Sequence, residues 1–171
     1  MANVRKIITE EDPLLHQKSV QVQRFGRSLH KLLDDMRLTM YQAEGVGLAA
    51  PQVGILKQVV VIDDRENGYL ELVNPQIIER KGSIESTEFC LSVPDRGGKV
   101  ERSRVIRVNA QDRDGKPFGI KCTERLAIIF QHEIDHLNGV LFTDIMSEEV
   151  SREQALAEEE DEVKPGKGAK A

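Results

Sequence analysis

The 171-residue sequence has little aromatic character and few cysteines. Aromatic residues make up 4% of the chain and tryptophan is absent, so Val, Ile and Leu must pack most of the core. Two cysteines are too few for a disulfide framework, which predicts free thiols and a cytoplasmic location. No stretch reaches the roughly 18 apolar residues of a membrane-spanning helix, and residues 1–13 lack the apolar core of a signal peptide. The net charge of −5 argues against a protein that reads nucleic acid or coats a membrane.

What the chain does have is the composition of one globular domain, with 39% hydrophobic and 31% charged residues. Apolar residues recur at helical spacing over 28–44 and 124–138, and β-branched runs between them indicate strands. Strands and helices do not alternate regularly, which predicts an α+β fold rather than a doubly wound sheet. We expect one main domain over 1–147, and over 148–171 an acidic helix followed by a disordered tail rich in Lys and Gly.

The second predicted helix contains the HExxH pentapeptide His132-Glu133-Ile134-Asp135-His136. Residues four apart lie on one helix face, so both imidazoles can bind the same metal ion. Glu133 is turned by about 100° around the helix, which suits a carboxylate that exchanges protons with water instead of binding the metal. The residues upstream are apolar, and a buried helix with two histidines and two acids is costly unless they are paired or bound to metal. The segment therefore predicts a metal site.

A catalytic site of this kind needs a third protein ligand. The extended pattern HExxHxxGxxH is not completed, because Phe142 stands where the third histidine would fall. The remaining candidates are two glutamates, two histidines and two thiols, namely Glu153, Glu158, His16, His30, Cys90 and Cys122. The chemistry favours Cys90, which lies in a short extended segment that can face the helix, whereas Cys122 has the setting of a small buried hydrophobe.

The glycine-rich segment 45–54 predicts a turn where a ligand can approach the backbone closely. It matches the G-x-G-x-x-A pattern of dinucleotide sites, but a helix precedes it where a strand is required. Gln52 lies in this segment, and a positioned amide N–H is a good donor to a developing oxyanion. A surface glutamine is the simpler interpretation of Gln52 taken alone.

Three segments together resemble the motifs of the bacterial peptide deformylases, in the same order and with similar spacing. They are GVGLAAPQ at 45–52, EFCLS at 88–92 and QHEIDH at 131–136. The resemblance extends over about residues 4–147 and implies a single α+β domain, with antiparallel sheets around a central helix that carries the HExxH motif. It makes 1–147 a deformylase-like catalytic domain. It implies an enzyme of protein biosynthesis that removes the N-formyl group from the formylmethionine of newly made polypeptides.

The resemblance also implies the chemistry of the site. Cys90, His132 and His136 would bind Fe²⁺, for which Zn²⁺, Ni²⁺ or Co²⁺ can substitute. Glu133 would be the general acid/base for attack by a metal-bound hydroxide. Gln52 and the backbone N–H of Leu91 would form the oxyanion hole, and Gly47 would pair with the substrate backbone. The methionine pocket would be lined by Val46, Ile128 and Ile129.

The expected partners are formylmethionyl nascent peptides, and a transient contact with the ribosome is left open. We expect no membrane binding, no direct reading of nucleic acid, and a monomer. Phe89 stands where the family usually has glycine, and Arg125 stands where an apolar residue is more common.

Two alternative functions remain. One is a metallopeptidase whose third ligand is a glutamate of the tail. The other is a catalytically silent metal- or peptide-binding module in which Phe89 fills the cleft.

Overall fold

Stretches rich in β-branched residues form eight strands among residues 1–163, the part of the chain that the computed structural model describes. The disordered tail expected beyond the acidic helix lies outside these residues. The strands are β1 Gly47–Ala49, β2 Val59–Asp63, β3 Tyr69–Lys81, β4 Ile84–Cys90, β5 Val93–Arg102, β6 Val105–Gln111, β7 Pro117–Thr123 and β8 Glu148–Val150. The α-helices are α1 Arg27–Gln42, α2 Glu124–Leu137, α3 Phe142–Ile145 and α4 Arg152–Val163, and short 3₁₀ helices span Pro13–His16 and Ala50–Val53.

The strands form two sheets. The larger has the order β1-β2-β3-β6-β7 and the smaller has the order β4-β5-β8. Every pairing between named strands is antiparallel. The prediction of antiparallel sheets with a few helices in a single domain is confirmed.

The larger sheet is covered by a helix on each face. Successive residues of β2 point to opposite faces, so Val60 and Ile62 pack in the cluster that includes α2, while Val59 and Val61 pack in the cluster that includes α1. This explains why β2 is apolar without alternation. The sheet supports α2 through side chains such as Phe130, which is fully buried.

Two strands differ from the sequence-based expectation. The segment predicted as a glycine-rich turn contains β1, which pairs with β2 from Gly47↔Ile62 to Ala49↔Val60. The strand expected to break at Asn74-Pro75 continues as β3 through Lys81, because a register shift against β6 absorbs the proline and Asn74 has a φ of 51°.

A third difference lies at residues 148–150, which the sequence assigned to the acidic helix. They form β8, which pairs with β5 at Gly97↔Val150 and Gly98↔Glu149. The apolar Val150 is buried while the two glutamates before it are exposed. Burial of Val150 against the sheet therefore favours a strand here, although the composition of the segment is typical of a helix. Helix α4 begins only at Arg152. Among residues 1–163, no helix combines the length and apolar character that crossing a membrane requires.

Candidate metal centre and active-site cleft

Helix α2 presents two buried histidines one turn apart. His132 and His136 have ring centroids 5.2 Å apart in an edge-to-face arrangement. Thr123 is the N-cap, and the apolar side chains that follow pack the helix against the larger sheet. The histidines are near the end of the helix, with the ring of Phe142 stacked 6.0 Å from that of His132. Packing of α2 on the larger sheet and of Phe142 on His132 therefore fixes the orientation of the helix face that carries both imidazoles.

Cys90, at the end of β4, completes a group of three nitrogen and sulfur donors with the two histidines. One ligand atom from each residue lies within 4.8 Å of the others, and Cys90 Sγ is 3.5 Å from His136 Nε2. Donors bound to one ion at tetrahedral angles, with bonds of about 2.0–2.3 Å, lie roughly 3.3–3.6 Å apart. No protein group among the described residues hydrogen-bonds to His136 Nδ1. The thiol and the two imidazoles fit a divalent transition metal.

Glu88 orients the first of these histidines. Its Oε1 accepts a hydrogen bond of 2.8 Å from His132 Nδ1, and both of its oxygens accept from Arg102 at 2.7 and 2.8 Å. Burial alone would raise the pKa of Glu88, but the hydrogen bonds from Arg102 and His132 outweigh it and lower the pKa to about 2. An ionised Glu88 keeps the Nδ1 proton in place, which leaves His132 Nε2 available to a metal.

Replacing Glu88 by Gln is expected to weaken binding of Co²⁺ or Zn²⁺ by about 10–100-fold. The neutral amide removes the charge that holds the His132 tautomer and leaves Asp135, 2.6 Å away, as the only described carboxylate paired with Arg102. Competition with a chromophoric chelator measures the affinity. The control is Glu85→Gln, on the exposed face of the same strand. Equal affinity in both variants would show that Glu88 has no such role.

Glu133 is buried next to the three donors but is not one of them. Burial raises its pKa to about 7, against the smaller lowering effect of the His132 charge. Its Oε1 has no hydrogen-bond partner among the described residues. A Cβ on Gly47 would come within 2.7 Å of Glu133 Oε2, so the glycine gives the carboxylate its space. A carboxyl group that titrates near neutrality is suited to taking up and returning a proton.

Gln52 is held from both ends of its amide. Its Oε1 accepts from the Ala49 N–H at 2.9 Å, and its Nε2 donates to Ser92 Oγ at 3.1 Å. The same Nε2 is 3.5 Å from Cys90 Sγ, so the amide N–H lies beside the donor group. Because Gln52 is only 1% exposed, it is not a surface side chain of the glycine-rich segment.

Gln52, Cys90, His132 and Glu133 line a cleft of about 470 Å³ between β1 and β4. Among the described residues, β1 pairs only with β2 and β4 only with β5, so each strand turns an unpaired edge toward the cleft. The residues predicted for the site that line it are Val46, Gly47, Gln52, Cys90, Leu91, Ile128, Ile129, His132 and Glu133. His136 does not line the cleft and lies buried beside Cys90.

Comparison with known proteins identifies the family of this chain. The family model described as polypeptide deformylase matches residues 4–152. The chain belongs to the polypeptide deformylase family. Deformylases are enzymes that remove formyl groups, and the family is metal-dependent.

Individual deformylases are similar over most of their length. The peptide deformylase of Alkaliphilus metalliredigens is 55% identical over 82% of this chain and 95% of its own. That of Caldicellulosiruptor bescii is 52% identical over 88% of this chain and 90% of its own. The crystal structure of the Thermotoga maritima deformylase superposes with a TM-score of 0.82 at 39% identity, covering 84% of this chain and 98% of that one.

The other candidate ligands lie outside the donor group. His16 is 3.5 Å from Asp144, and His30 is hydrogen-bonded to the Arg113 carbonyl. Cys122 is buried in the core beneath α2, where burial raises the pKa of its thiol to about 12. The glutamates of the tail, Glu153 and Glu158, are exposed on α4. Only Cys90, His132 and His136 form a metal-type cluster among the described residues.

The sequence analysis gave no role to Glu88, Arg102, Asp135 or Ser92. One signal was available for Glu88, which lies two residues before Cys90 on a strand and so shares its face. Asp135, within the HExxH motif, binds Arg102 at 2.6 Å. Nothing local marks Arg102, because only the pairing of β4 with β5 brings it to Glu88.

Proposed function

We propose that the chain hydrolyses the formamide bond of N-terminal formylmethionine in newly made polypeptides, and so acts in protein biosynthesis. The observation that carries the proposal is the union of the Cys90, His132 and His136 donors with Glu133 and Gln52 in one cleft, in a chain of the deformylase family. We further propose that α2, which carries the HExxH residues, is the central element of the fold, since its apolar side packs on the larger sheet.

Cys90, His132 and His136 are the proposed ligands of Fe²⁺, which Zn²⁺, Ni²⁺ or Co²⁺ can replace. A divalent ion at this position supplies Lewis acidity to the formyl carbonyl and makes a water easier to deprotonate. Glu88 supports this role because its hydrogen bond fixes the ring of His132.

Glu133 acts as the general acid/base. As the water oxygen bonds to the formyl carbon, the Glu133 carboxylate takes a proton from the water. It then returns this proton to the nitrogen as the carbon–nitrogen bond breaks, which releases formate and the free amine of methionine. The pKa of about 7 supports both transfers, because neither protonation state of Glu133 is strongly disfavoured near neutral pH.

Gln52 and the backbone N–H of Leu91 form the oxyanion hole. Ala49 and Ser92 hold the Gln52 amide, and its Nε2 lies 3.5 Å from Cys90 Sγ. An N–H that points toward the donor group is thus positioned before charge develops on the carbonyl oxygen. Leu91 directly follows Cys90 and lines the same cleft.

The substrate backbone adds as a strand between the free edges of β1 and β4, where Gly47 lets it approach Glu133. Val46, Ile128 and Ile129 offer the apolar wall that a methionine side chain requires. Formylmethionyl nascent peptides are the proposed partners, with a monomer acting in the cytoplasm. Two free cysteines among the described residues agree with a reducing compartment.

The experiment that tests this function is formate release from formyl-Met-Ala-Ser by protein loaded with Fe²⁺ under exclusion of oxygen. We expect rapid release from the formyl peptide. Acetyl-Met-Ala-Ser, which would yield acetate and has one more methyl group on its acyl carbon, should show no newly exposed α-amine. Protein that holds one metal per chain yet releases no formate would contradict the proposal.

The silent-module alternative depended on Phe89 filling the cleft. The ring instead packs against the backbone of Gly97, where a Cβ would overlap it. This placement favours an open cleft and therefore turnover.

A further inference from the structure

The rim of the cleft carries an aromatic–cation pair. The Arg152 guanidinium lies over the Phe89 ring, with Cζ 4.7 Å from the ring centroid. Both side chains line the cleft that contains Glu133 and the metal-type donors. The ring is in turn seated on Gly97, where no other residue would leave it room. The pair is therefore a packed feature of the cleft wall.

The smaller sheet determines where Arg152 lies. Strand β8 pairs with β5 through Gly97↔Val150, and this brings the start of α4 back to the cleft. The Arg152 Nε then donates to the Pro94 carbonyl at 3.3 Å. Among the side chains that the structure describes, no carboxylate forms an ion pair with Arg152. Its terminal N–H groups are therefore available to a ligand on the cleft side.

The charge of the rim favours an anionic ligand. The charged side chains that line the outer cleft are Glu44, Arg125 and Arg152. Glu88 also lines it, but Arg102 neutralises that carboxylate through two hydrogen bonds. Arg125 donates to the Asp64 carbonyl at 2.8 Å, which leaves Arg152 as the rim guanidinium best placed for a ligand. A planar guanidinium suits a carboxylate ligand.

The position of the pair along the cleft indicates which part of a substrate would meet it. Phe89 directly precedes Cys90, and Thr87 and Ser86 continue the cleft wall along β4. A strand advances about 3.3 Å per residue. A chain that starts at the metal-type donors and follows β4 therefore passes Phe89 within its first few residues.

We propose that Phe89 and Arg152 form a specificity subsite for an acidic side chain in the second or third residue of the formylated chain. This inference rests on the proposed deformylase function. Arg152 contacts the substrate carboxylate, and Phe89 is a positioning residue that holds the guanidinium over the cleft. A newly made polypeptide has no C-terminal carboxylate near the cleft, so the acid must be an Asp or Glu side chain.

The test compares kcat/KM for C-terminally amidated formyl-Met peptides that carry Glu, Gln or Lys at position two or position three. Amidation removes the terminal carboxylate as a competing anion. We expect the Glu peptide to exceed the Lys peptide by about two- to fivefold at one or both positions, in line with exposed ion pairs. This ratio should shrink as salt is raised from 0.05 to about 0.5 M.

Variants assign the preference to the pair. Arg152→Gln should bring the Glu-to-Lys ratio close to one, Arg152→Glu should invert it, and Phe89→Leu should reduce it. Arg107→Gln is the matched control, since Arg107 is exposed on the larger sheet near Glu79 and should leave the ratio unchanged. A ratio near one at both positions in the unmodified enzyme, or one unaffected by Arg152→Gln, would overturn the inference alone. No formate release from any peptide would overturn the proposed function and this inference with it.

Discussion

Replacing Glu133 by Gln is expected to lower formate release from formyl-Met-Ala-Ser by about 10²–10⁴-fold while the protein keeps its metal. A general acid/base contributes this much to the rate, and glutamine cannot carry the proton. The metal should stay because Glu133 is not among the donors that converge on the site. Glutamine has nearly the same shape, so it fits the space that Gly47 leaves by having no side chain. Formate is measured with a coupled dehydrogenase, and metal content by elemental analysis of the same samples.

The matched control is Glu124→Gln, at the first turn of the same helix. The Glu124 side chain is 55% exposed and pairs with Arg104, so its loss should change the rate less than twofold. Metal loss from Glu133→Gln would mean that the glutamate holds the ion. Full activity with metal retained would mean that another group carries the proton. Either result would remove Glu133 from the proposed mechanism.

Two buried glutamates near the site have opposite environments, which supports their different roles. Glu88 receives hydrogen bonds to both oxygens, and its pKa is lowered to about 2. Glu133 has one oxygen without a partner, and burial raises its pKa to about 7. A carboxylate that stays ionised can hold a histidine in place, whereas one that titrates near neutrality can exchange a proton. The contrast comes from Arg102, which neutralises one glutamate and only weakly affects the other.

Most of the fold was predictable wherever a pattern is local. The helical spacing over 28–44 and 124–138 corresponds to α1 and α2, and the β-branched run at 59–62 lies in β2. Strands β1 and β8 were missed because each has three residues and is stabilised by its pairing partner rather than by its own composition. The continuity of β3 through Pro75 depends on a bulge against β6, which no local signal predicts.

Some residues of the candidate site could be predicted from the sequence and others could not. The HExxH spacing and the apolar residues upstream of it together indicated a metal site. Helix geometry puts both imidazoles on one face, and burial makes unpaired acids and histidines costly. Cys90 was merely favoured on its chemistry, and the resemblance was needed to select it. Arg102 and Arg152 stayed hidden because strand pairing in the smaller sheet brings Arg102 to Glu88 and Arg152 to the cleft. A role that arises from contacts between distant strands has no signature in a single sequence.

Replacing Cys90 by Ala is expected to weaken metal binding by more than about 100-fold and to abolish formate release. This effect is larger than that of losing a residue such as Glu88, which only hydrogen-bonds to a ligand. Cys90 Sγ is the one sulfur in the donor group, and its loss leaves two imidazoles that hold a divalent ion less tightly. Protein loaded with Co²⁺ gives a direct readout, because a cobalt–thiolate bond has a strong near-ultraviolet charge-transfer band. The band should be absent in Cys90→Ala and also in Cys90→Ser, which preserves volume if alanine disturbs the fold.

Cys122→Ala is the matched control, because it removes the only other thiol of the chain from a buried position in the core beneath α2. That thiol has a pKa raised to about 12, so it does not offer a thiolate at neutral pH. We expect Cys122→Ala to keep the cobalt band and the activity even if the cavity lowers its thermal stability. A band that persists in Cys90→Ala but disappears in Cys122→Ala would reverse the ligand assignment. A variant lacking Cys90 that still binds one metal tightly would instead require a ligand from outside the donor group, and a glutamate of α4 would then be the first residue to replace.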